Sequence, residues 1–404
     1  MVIYKAAVVG AGAMGSEIAQ AISYAGVPVV FKDLNENLVQ SGLKRIRQIY
    51  EGRVQKGKMT AEEVGTKIAL IRPTTSYAEF KEVDLVIEAV FEEIEIKKTV
   101  FQELDRACPK SAILASNTSA LSISQLGAGT TRPEKVIGMH FFYPAHVMKL
   151  VEIIPGLDTS EETVTDVTAF AETLRKLPIR VNECAGFLVN RLLMPYLNEA
   201  AYALQEGSAG LQEIDRAMVE FGFPMGPFTL VDTLGLEVCH SVVKTLLEEY
   251  GERMKPAEIW EHLQRKGRYG MKRGKGFYTY GEKIEADEEM RSLLQALSKK
   301  YPKQPFSAER MVFPMINEAA LCLQEGISRA SEIDLAMLTG IGFPQLKQGL
   351  LHFADQVGID VILRQLEAWS LQMGGRFWPA PLLRRMAKAN HLGLKTKKGF
   401  FTYS

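Results

Sequence analysis

The chain has 404 residues, of which 47% are hydrophobic and 24% charged, as in a globular protein with apolar cores. Basic and acidic residues both number 48, and this zero net charge argues against generic nucleic-acid binding. No apolar run approaches the roughly 20 residues of a membrane span, and the four dispersed cysteines form no metal-ligand pattern. These features predict a cytoplasmic protein of about two or three domains that binds neither membrane, nucleic acid nor metal.

The first 184 residues alternate apolar runs with helical stretches, which is typical of a mostly parallel α/β sheet. From Ala185 onward the sequence consists of long amphipathic segments with few β runs, which predicts a helical remainder. The clearest predicted strands are Ala6–Val9, Val27–Phe31, Val83–Ala89, Ala112–Ala115 and Val136–Met139.

A glycine-rich segment follows the first predicted strand. Gly10, Gly12 and Gly15 have the spacing G-x-G-x-x-G and precede a predicted helix, Ser16–Tyr24. Glycines at this spacing allow a tight turn and close approach to a pyrophosphate, while the helix N-terminus attracts negative charge. The segment therefore predicts a dinucleotide site.

The residues after the second predicted strand indicate which dinucleotide would bind. Asp33 follows that strand, and an acidic residue there can bind the ribose hydroxyls and repel a 2′-phosphate. Asp33 therefore favours NAD over NADP, whereas the positive charge of the neighbouring Lys32 would favour the 2′-phosphate of NADP. The alternative interpretation is a glycine-rich turn followed by an Asp that caps the next helix.

Four polar residues are candidates for catalysis. His140 precedes Glu152 across a proline-marked turn and an apolar run, and imidazole is a base tuned near neutral pH that a carboxylate can orient. Ser119 follows a strand at the edge where α/β sheets place ligands, and Asn190 interrupts an apolar run. A structural histidine, a helix cap and a satisfied core amide are the alternatives.

The second half of the chain contains an internal duplication. Four segments recur in the same order, and the copies are too few and too long for a solenoid. The pairs are Asn198–Gly207 with Asn317–Gly326, Glu213–Met218 with Glu332–Met337, Gly222–Pro224 with Gly342–Pro344, and Tyr269–Tyr280 with Leu392–Tyr403. Two tandem helical domains are therefore predicted.

These motifs together resemble those of the NAD-dependent L-3-hydroxyacyl-CoA dehydrogenases. The similarity is greatest to the dehydrogenase half of multifunctional β-oxidation enzymes, without their hydratase half, and extends over essentially the whole chain. The segments that carry it are Gly10–Gly15, Glu88–Glu92, Ser116–Ser119, His140–Glu152, Gly186–Arg191, Met225–Pro227 and Lys275–Tyr278.

The resemblance implies an α/β Rossmann-type NAD-binding domain followed by two all-α domains similar to the C-terminal domain of 6-phosphogluconate dehydrogenase. The expected boundaries are 1–184 for the Rossmann domain, 185–282 and 307–404 for the helical domains, and 283–306 for a linker. It also implies an acyl-CoA substrate and association with other β-oxidation enzymes, with the chain itself a monomer or a homodimer.

The resemblance implies roles for the candidate residues. His140 would be the general base, Glu152 would orient it, Ser119 would bind the substrate oxygen near the nicotinamide, and Asn190 would bind substrate near the reacting carbon. Contacts with NAD are implied for Gly10, Gly12, Met14, Gly15, Asp33, Glu92, Lys97, Ser119 and Lys272.

Two positions depart from the family pattern: Tyr143 stands where the family usually has Asn, and Thr339 where bacterial multifunctional chains tend to have Tyr. Within the duplication, Asn190 aligns with Glu309, and Gly226 with Pro227 finds no counterpart. We therefore predict that the first helical domain closes the active site. The second would bury the apolar face that pairs with another subunit in single-copy relatives.

A basic stretch, Leu43–Lys58, carries six basic residues and one acidic residue. Arg53 and Lys56 in this stretch are candidate contacts for the phosphates of CoA, because such side chains bind phosphate by charge and hydrogen bonds. The alternative is a solvated helix face. Two other functions also remain open: a dehydrogenase of a free hydroxy acid or sugar acid, and a catalytically silent NAD-binding scaffold.

Overall fold

The computed structural model describes residues 1–404, which form two compact units, Met1–Phe187 and Leu188–Ser404. The first unit contains a large sheet with helices, and the second is almost entirely helical. None of the helices is both long and apolar enough to cross a membrane.

The first unit is built on one eight-stranded sheet. Its strands are β1 (Ala6–Val9), β2 (Val29–Lys32), β3 (Ile71–Thr74), β4 (Leu85–Glu88), β5 (Ile113–Ser116), β6 (Val136–Phe141), β7 (Leu150–Pro155) and β8 (Leu177–Arg180). Its helices are α1 (Ala13–Tyr24), α2 (Glu36–Gln55), α3 (Ala61–Ile68), α4 (Ile94–Ala107), α5 (Ile123–Ala128) and α6 (Glu161–Thr173).

The strand order is β3-β2-β1-β4-β5-β6-β7-β8, and every pair is parallel except the antiparallel pair β6–β7. All residues of β1, β2, β4 and β5 are buried, as expected for parallel strands covered on both faces. The predicted Rossmann-type fold is confirmed. Its topology brings the carboxyl ends of β1, β4, β5 and β6 to one edge of the sheet.

The second unit contains eleven helices and a two-stranded ribbon. The helices are α7 (Val189–Gln205), α8 (Leu211–Phe221), α9 (Pro227–Leu234), α10 (Leu236–Tyr250), α11 (Glu258–Arg265), α12 (Glu288–Lys300), α13 (Ala308–Gln324), α14 (Ala330–Gly340), α15 (Leu350–Val357), α16 (Ile359–Met373) and α17 (Pro381–Lys388), and the ribbon pairs β9 (Thr279–Tyr280) with β10 (Ile284–Glu285). Helix α12 lies within the segment expected to link the two helical domains.

Equivalent aspartates organise the two copies of the duplication. Asp215 accepts hydrogen bonds from the backbone N–H groups of Phe228 and Thr229, and Asp334 accepts them from Leu351 and His352. In each copy the aspartate thereby holds the start of a short helix, α9 in the first and α15 in the second.

A glycine packs closely against each of these aspartates. A Cβ on Gly226 would lie 2.3 Å from Asp215 Cγ, and a Cβ on Gly349 would lie 2.3 Å from Asp334 Cγ. Gly349 is therefore the structural counterpart of Gly226, so the prediction that the pair Gly226–Pro227 has no counterpart was wrong for the glycine. The alignment missed it because the loop before α15 is longer; the proline after Gly226 does differ, since Leu350 replaces it.

Reciprocal ion pairs, most of whose side chains are buried, join the two copies. Each copy supplies arginines to glutamates of the other, as in an isologous interface. The pairs are Arg191 with Glu318 (2.8 Å) and Glu325 (2.7 Å), Arg310 with Glu199 (2.8 Å) and Glu206 (2.8 Å), Arg253 with Glu318 (3.1 Å), and Arg376 with Glu199 (2.7 Å).

Candidate active site

Of the three glycines in the turn between β1 and α1, only Gly12 has open space beside it. Gly10 has a φ of +106°, and a Cβ there would lie 2.4 Å from the Ala89 carbonyl oxygen, while a Cβ on Gly15 would lie 1.8 Å from the Gly10 carbonyl oxygen. Around Gly12 no atom lies within 4 Å of an added Cβ. Two glycines therefore serve packing, and Gly12, at the N-terminus of α1, leaves open space that fits a pyrophosphate.

Asp33 stands directly after β2 and faces the same turn. Its carboxylate accepts hydrogen bonds from the N–H groups of Ala11 and Leu34, both at 2.6 Å. Lys32, in contrast, is buried, and its ammonium lies 4.3 Å from the centre of the Tyr77 ring. Burial lowers the pKa of Lys32. Because the Lys32 side chain is buried against Tyr77, it gives no reason to expect binding of the 2′-phosphate of NADP.

Glu92 organises the turn after β5. Its Oε1 accepts hydrogen bonds from Thr118 Oγ1 (2.5 Å), the Ser119 N–H (2.8 Å) and Ser119 Oγ (3.2 Å), and Lys97 Nζ lies 3.3 Å from its Oε2. Burial alone would raise the pKa of Glu92, but the Lys97 charge and these hydrogen bonds outweigh it and hold the pKa below its ordinary value. Glu92 is therefore a carboxylate that positions Ser119.

The lysine that contacts Glu92 also forms a buried ion pair with Glu88. Lys97 is 1% exposed and donates to Glu88 Oε1 at 2.6 Å, and Glu88, which is fully buried, also accepts from Ser116 Oγ at 2.7 Å. Glu88 was not among the predicted site residues. Its sequence signals are its place in the segment Glu88–Glu92, which carries the family resemblance, and an acidic residue at the end of an otherwise apolar strand.

His140 and Glu152 are cross-strand partners on β6 and β7. His140 Nδ1 lies 2.7 Å from Glu152 Oε2, and the glutamate side chain is fully buried. The rings of Phe142 and Phe187 flank the imidazole, with centres 4.6 and 5.8 Å away. Since Nδ1 is held by the carboxylate, Nε2 is the ring nitrogen suited to receive a proton.

Asn117, a second residue that sequence reasoning missed, ties the serine loop to the strand of the histidine. Its Oδ1 accepts a hydrogen bond from the Phe141 N–H at 2.9 Å, and its own N–H donates to the Glu88 carbonyl at 2.8 Å. The structure thus brings Ser119 and His140 to the carboxyl edge of neighbouring strands. The side chains at this edge can bind a dinucleotide, hold a base and direct a hydroxyl group.

Comparison with known proteins identifies the family. Residues 5–184 match the 3-hydroxyacyl-CoA dehydrogenase NAD-binding domain, and residues 186–280 and 306–403 match the C-terminal domain of the same family. The chain belongs to the 3-hydroxyacyl-CoA dehydrogenase family. The resemblance found in the sequence and the predicted NAD cofactor are confirmed at this level.

Individual relatives agree with this assignment. The α subunit of the fatty acid oxidation complex from Shewanella amazonensis is 40% identical over 95% of this chain, which spans 55% of that protein. The crystal structure of 3-hydroxybutyryl-CoA dehydrogenase from Escherichia coli has a TM-score of 0.88 at 29% identity, covering 96% of this chain and 99% of that one. The crystal structure of (S)-3-hydroxybutyryl-CoA dehydrogenase from Ralstonia eutropha is 39% identical, with a TM-score of 0.68, over 69% of this chain and all of that one. The chain spans about half the length of the curated relatives it matches.

Two residues that the family pattern assigns to the site lie in the second unit. Asn190 is half-buried in the first turn of α7, and Lys272 is exposed on the 3₁₀ turn Met271–Arg273. Met14 is half-buried in the first turn of α1, within the first unit. The roles of these three residues stay predictions.

The remaining candidates lie on the surface. Arg53 packs its guanidinium 4.3 Å from the centre of the Tyr24 ring, whereas Lys56 is exposed at the end of α2. Of the two departures from the family pattern, Tyr143 is 59% exposed, and Thr339 Oγ1 donates to the Leu335 carbonyl at 2.7 Å. No group of three or more histidine, cysteine, aspartate or glutamate side chains is placed to hold a metal ion.

Proposed function

We propose that the chain catalyses the NAD-dependent oxidation of an (S)-3-hydroxyacyl-CoA to a 3-oxoacyl-CoA. The observation that carries this proposal is the buried His140–Glu152 pair, which stands at the same sheet edge as the glycine turn and Ser119. The printed names of the relatives, 3-hydroxybutyryl-CoA dehydrogenases among them, support a CoA thioester as substrate.

The reaction needs a base, a hydride acceptor and stabilisation of the oxygen on which the carbonyl forms. Bound NAD would accept the hydride. His140 Nε2 removes the hydroxyl proton, and Glu152 keeps the ring in the required tautomer and stabilises the imidazolium that forms. In the reverse direction the imidazolium returns the proton to the oxygen.

Ser119, held by Glu92, donates a hydrogen bond to the substrate oxygen, and Asn190 binds substrate near the reacting carbon. Asp33 binds the adenosine ribose, and Arg53 and Lys56 are candidate contacts for the phosphates of CoA. The residues proposed to hold NAD are Gly12, Met14, Asp33, Glu92, Lys97, Ser119 and Lys272, together with Gly10 and Gly15, whose close packing shapes the turn around the cofactor.

The wider context is also a proposal. The relatives named as the α subunit of the fatty acid oxidation complex and as a glyoxysomal β-oxidation multifunctional protein support a role in β-oxidation beside other enzymes of that route. A cytoplasmic location, a monomeric or homodimeric state, and domain boundaries at 184/185, 282/283 and 306/307 stay predictions from the sequence.

The test follows NADH formation with three substrates: (S)-3-hydroxybutyryl-CoA, a long-chain (S)-3-hydroxyacyl-CoA and free 3-hydroxybutyrate. Turnover of the thioesters but not of the free acid is expected. Preference for the free acid would favour a hydroxy-acid dehydrogenase, and NAD binding without turnover of any hydroxy compound would favour a silent scaffold.

The proposed base is tested by His140→Gln. We expect kcat to fall by about 10²- to 10⁴-fold, the range typical for loss of a general base, with little change in NAD affinity. His352→Gln is the matched control, because His352 also bonds a carboxylate, Asp334, at 2.7 Å but lies in the second helical copy. Near-normal turnover of the His140 variant would refute the mechanism.

A further inference from the structure

The loop between β6 and β7, residues 142–149, begins two residues after His140 and is anchored at its centre. Ala145 is 1% exposed, whereas Tyr143 and Val147 on either side are 59% and 62% exposed. A loop that is exposed at its edges and buried at one residue depends on the contacts of that residue for its position.

Two buried side chains of opposite charge bind the peptide groups of Ala145. Its N–H donates to the Glu17 carboxylate, and its carbonyl accepts a hydrogen bond from the Lys176 ammonium. Lys176 Nζ also donates to the Met148 carbonyl at 2.7 Å. Glu17 therefore binds the loop through one backbone N–H, and Lys176 binds it through two backbone carbonyls.

Both charged groups are unusual for their burial. Glu17 is 7% exposed and Lys176 is 8% exposed, and such side chains are rarely buried without partners. Their partners are chiefly peptide groups of this loop, although His146 Nδ1 also lies 3.4 Å from Glu17 Oε2. Glu17 lies on α1, the helix that begins at the glycine turn, and Lys176 precedes β8.

We propose that Glu17 and Lys176 are positioning residues that hold the 142–149 loop in register with the cofactor-binding helix and thereby hold the surroundings of His140. The inference rests on the proposed function. Phe142, the first residue of this loop, has its ring 4.6 Å from the imidazole, so displacement of the loop displaces this neighbour of the base.

The anchor is tested by hydrogen–deuterium exchange of the peptide that covers residues 142–149, together with kcat and NAD affinity. Glu17→Met and Lys176→Met remove one side of the anchor each while preserving side-chain length. Glu17→Gln is the conservative variant, because it keeps an acceptor for the Ala145 N–H. Lys135→Met is the matched control, since Lys135 pairs with Glu162 at 3.3 Å elsewhere in the unit.

We expect both methionine variants to exchange faster in this peptide, to keep strands β6 and β7 protected, and to lose kcat by about 10- to 100-fold, the effect of a small misplacement of reacting groups. NAD affinity should stay within about threefold of the wild-type value. Because both residues act through one loop, the double variant should lose little more than the worse single variant. The conservative and control variants should resemble the wild type.

Unchanged exchange in both methionine variants would overturn the anchor, and faster exchange with unchanged kcat would overturn its role in catalysis. Equal losses of thermal stability and activity across all variants would reduce both residues to a structural role. If the wild type oxidises no hydroxyacyl-CoA, the proposed function fails with the catalytic role, while the exchange measurements still decide whether the anchor exists.

Discussion

The reciprocal ion pairs between the helical copies predict unequal effects of two equivalent substitutions. Arg310→Met removes the guanidinium 2.8 Å from both Glu199 and Glu206. Glu199 keeps Arg376 at 2.7 Å, but Glu206, whose side chain is 8% exposed, keeps only a 3.7 Å approach to Arg376 as its charged contact, beside a 3.3 Å hydrogen bond from Ser208 Oγ. A buried carboxylate that loses its partner typically lowers the free energy of unfolding by about 3–5 kcal/mol.

Arg191→Met removes the equivalent arginine from the other copy. Glu318 keeps Arg253 at 3.1 Å, and Glu325, whose side chain is 39% exposed, can be hydrated. The loss of unfolding free energy should therefore be smaller, by about 1–2 kcal/mol, because water replaces part of the lost interaction.

Equilibrium urea unfolding followed by tryptophan fluorescence measures this difference. All three tryptophans, Trp260, Trp369 and Trp378, lie in the helical unit, so the signal reports that unit selectively. If both variants lose the same free energy of unfolding, or if Arg191→Met loses more, burial of the unpaired glutamate does not determine the cost. Combining Glu206→Gln with Arg310→Met should recover part of the lost free energy of unfolding, since the side chain left without Arg310 is then uncharged.

The pH dependence gives an independent check on Arg310→Met. Burial raises the pKa of Glu206 above its ordinary value, although Arg310 opposes this. Without Arg310 the pKa rises further, so the folded state binds the proton more tightly than the unfolded state. The deficit of the variant should therefore shrink as the pH falls from about 7 to about 5, and a deficit that grows toward acid pH would contradict the assignment.

Three further outcomes are expected. Burial lowers the pKa of Lys176 to about 8, so the folded state releases this proton at a lower pH than the unfolded state does. The free energy of unfolding of the wild type should therefore rise by about 1–2 kcal/mol, after solvent screening, between pH 8 and about 10. Calorimetry of Lys176→Met should show no such rise. Asp33→Ser should lower kcat/KM for NAD by about 10-fold or more and improve NADP relative to NAD, and an unchanged preference would exclude Asp33 from ribose binding. Lys56→Glu should raise KM several-fold for an acyl-CoA but not for the corresponding acyl-pantetheine, and equal effects would exclude contact with the CoA phosphates.

The central strands were predictable because burial on both faces gives them continuous apolar runs. β3 and β8 were not among the clearest predicted strands, and each contains a proline, Pro73 or Pro178. They are the two edge strands of the sheet, where a missing N–H donor is tolerated. A proline argues against a central strand but is compatible with an edge strand. The sequence does not show which strands lie at the edge, because that depends on the strand order.

The candidate site was predictable as residue types but not as contacts. The even separation of His140 and Glu152 places both side chains on one face of a hairpin only if the turn sets the register that the structure shows. Glu88 and Asn117 lie in segments that carry the family resemblance, but a polar residue at the end of a strand is common, and the sequence alone assigned neither of them a role. Their roles depend on Lys97 and on the Phe141 N–H, which other elements bring to them.

The duplication shows what a repeat in the sequence leaves open. Alignment pairs Arg191 with Arg310 and Glu206 with Glu325, but it does not say whether an arginine binds a glutamate of its own copy or of the other copy. The fold decides for the other copy. Loss of either copy would therefore leave buried charges in the remaining one without partners, so the second copy contributes to the stability of the first even where it lacks an equivalent of Asn190.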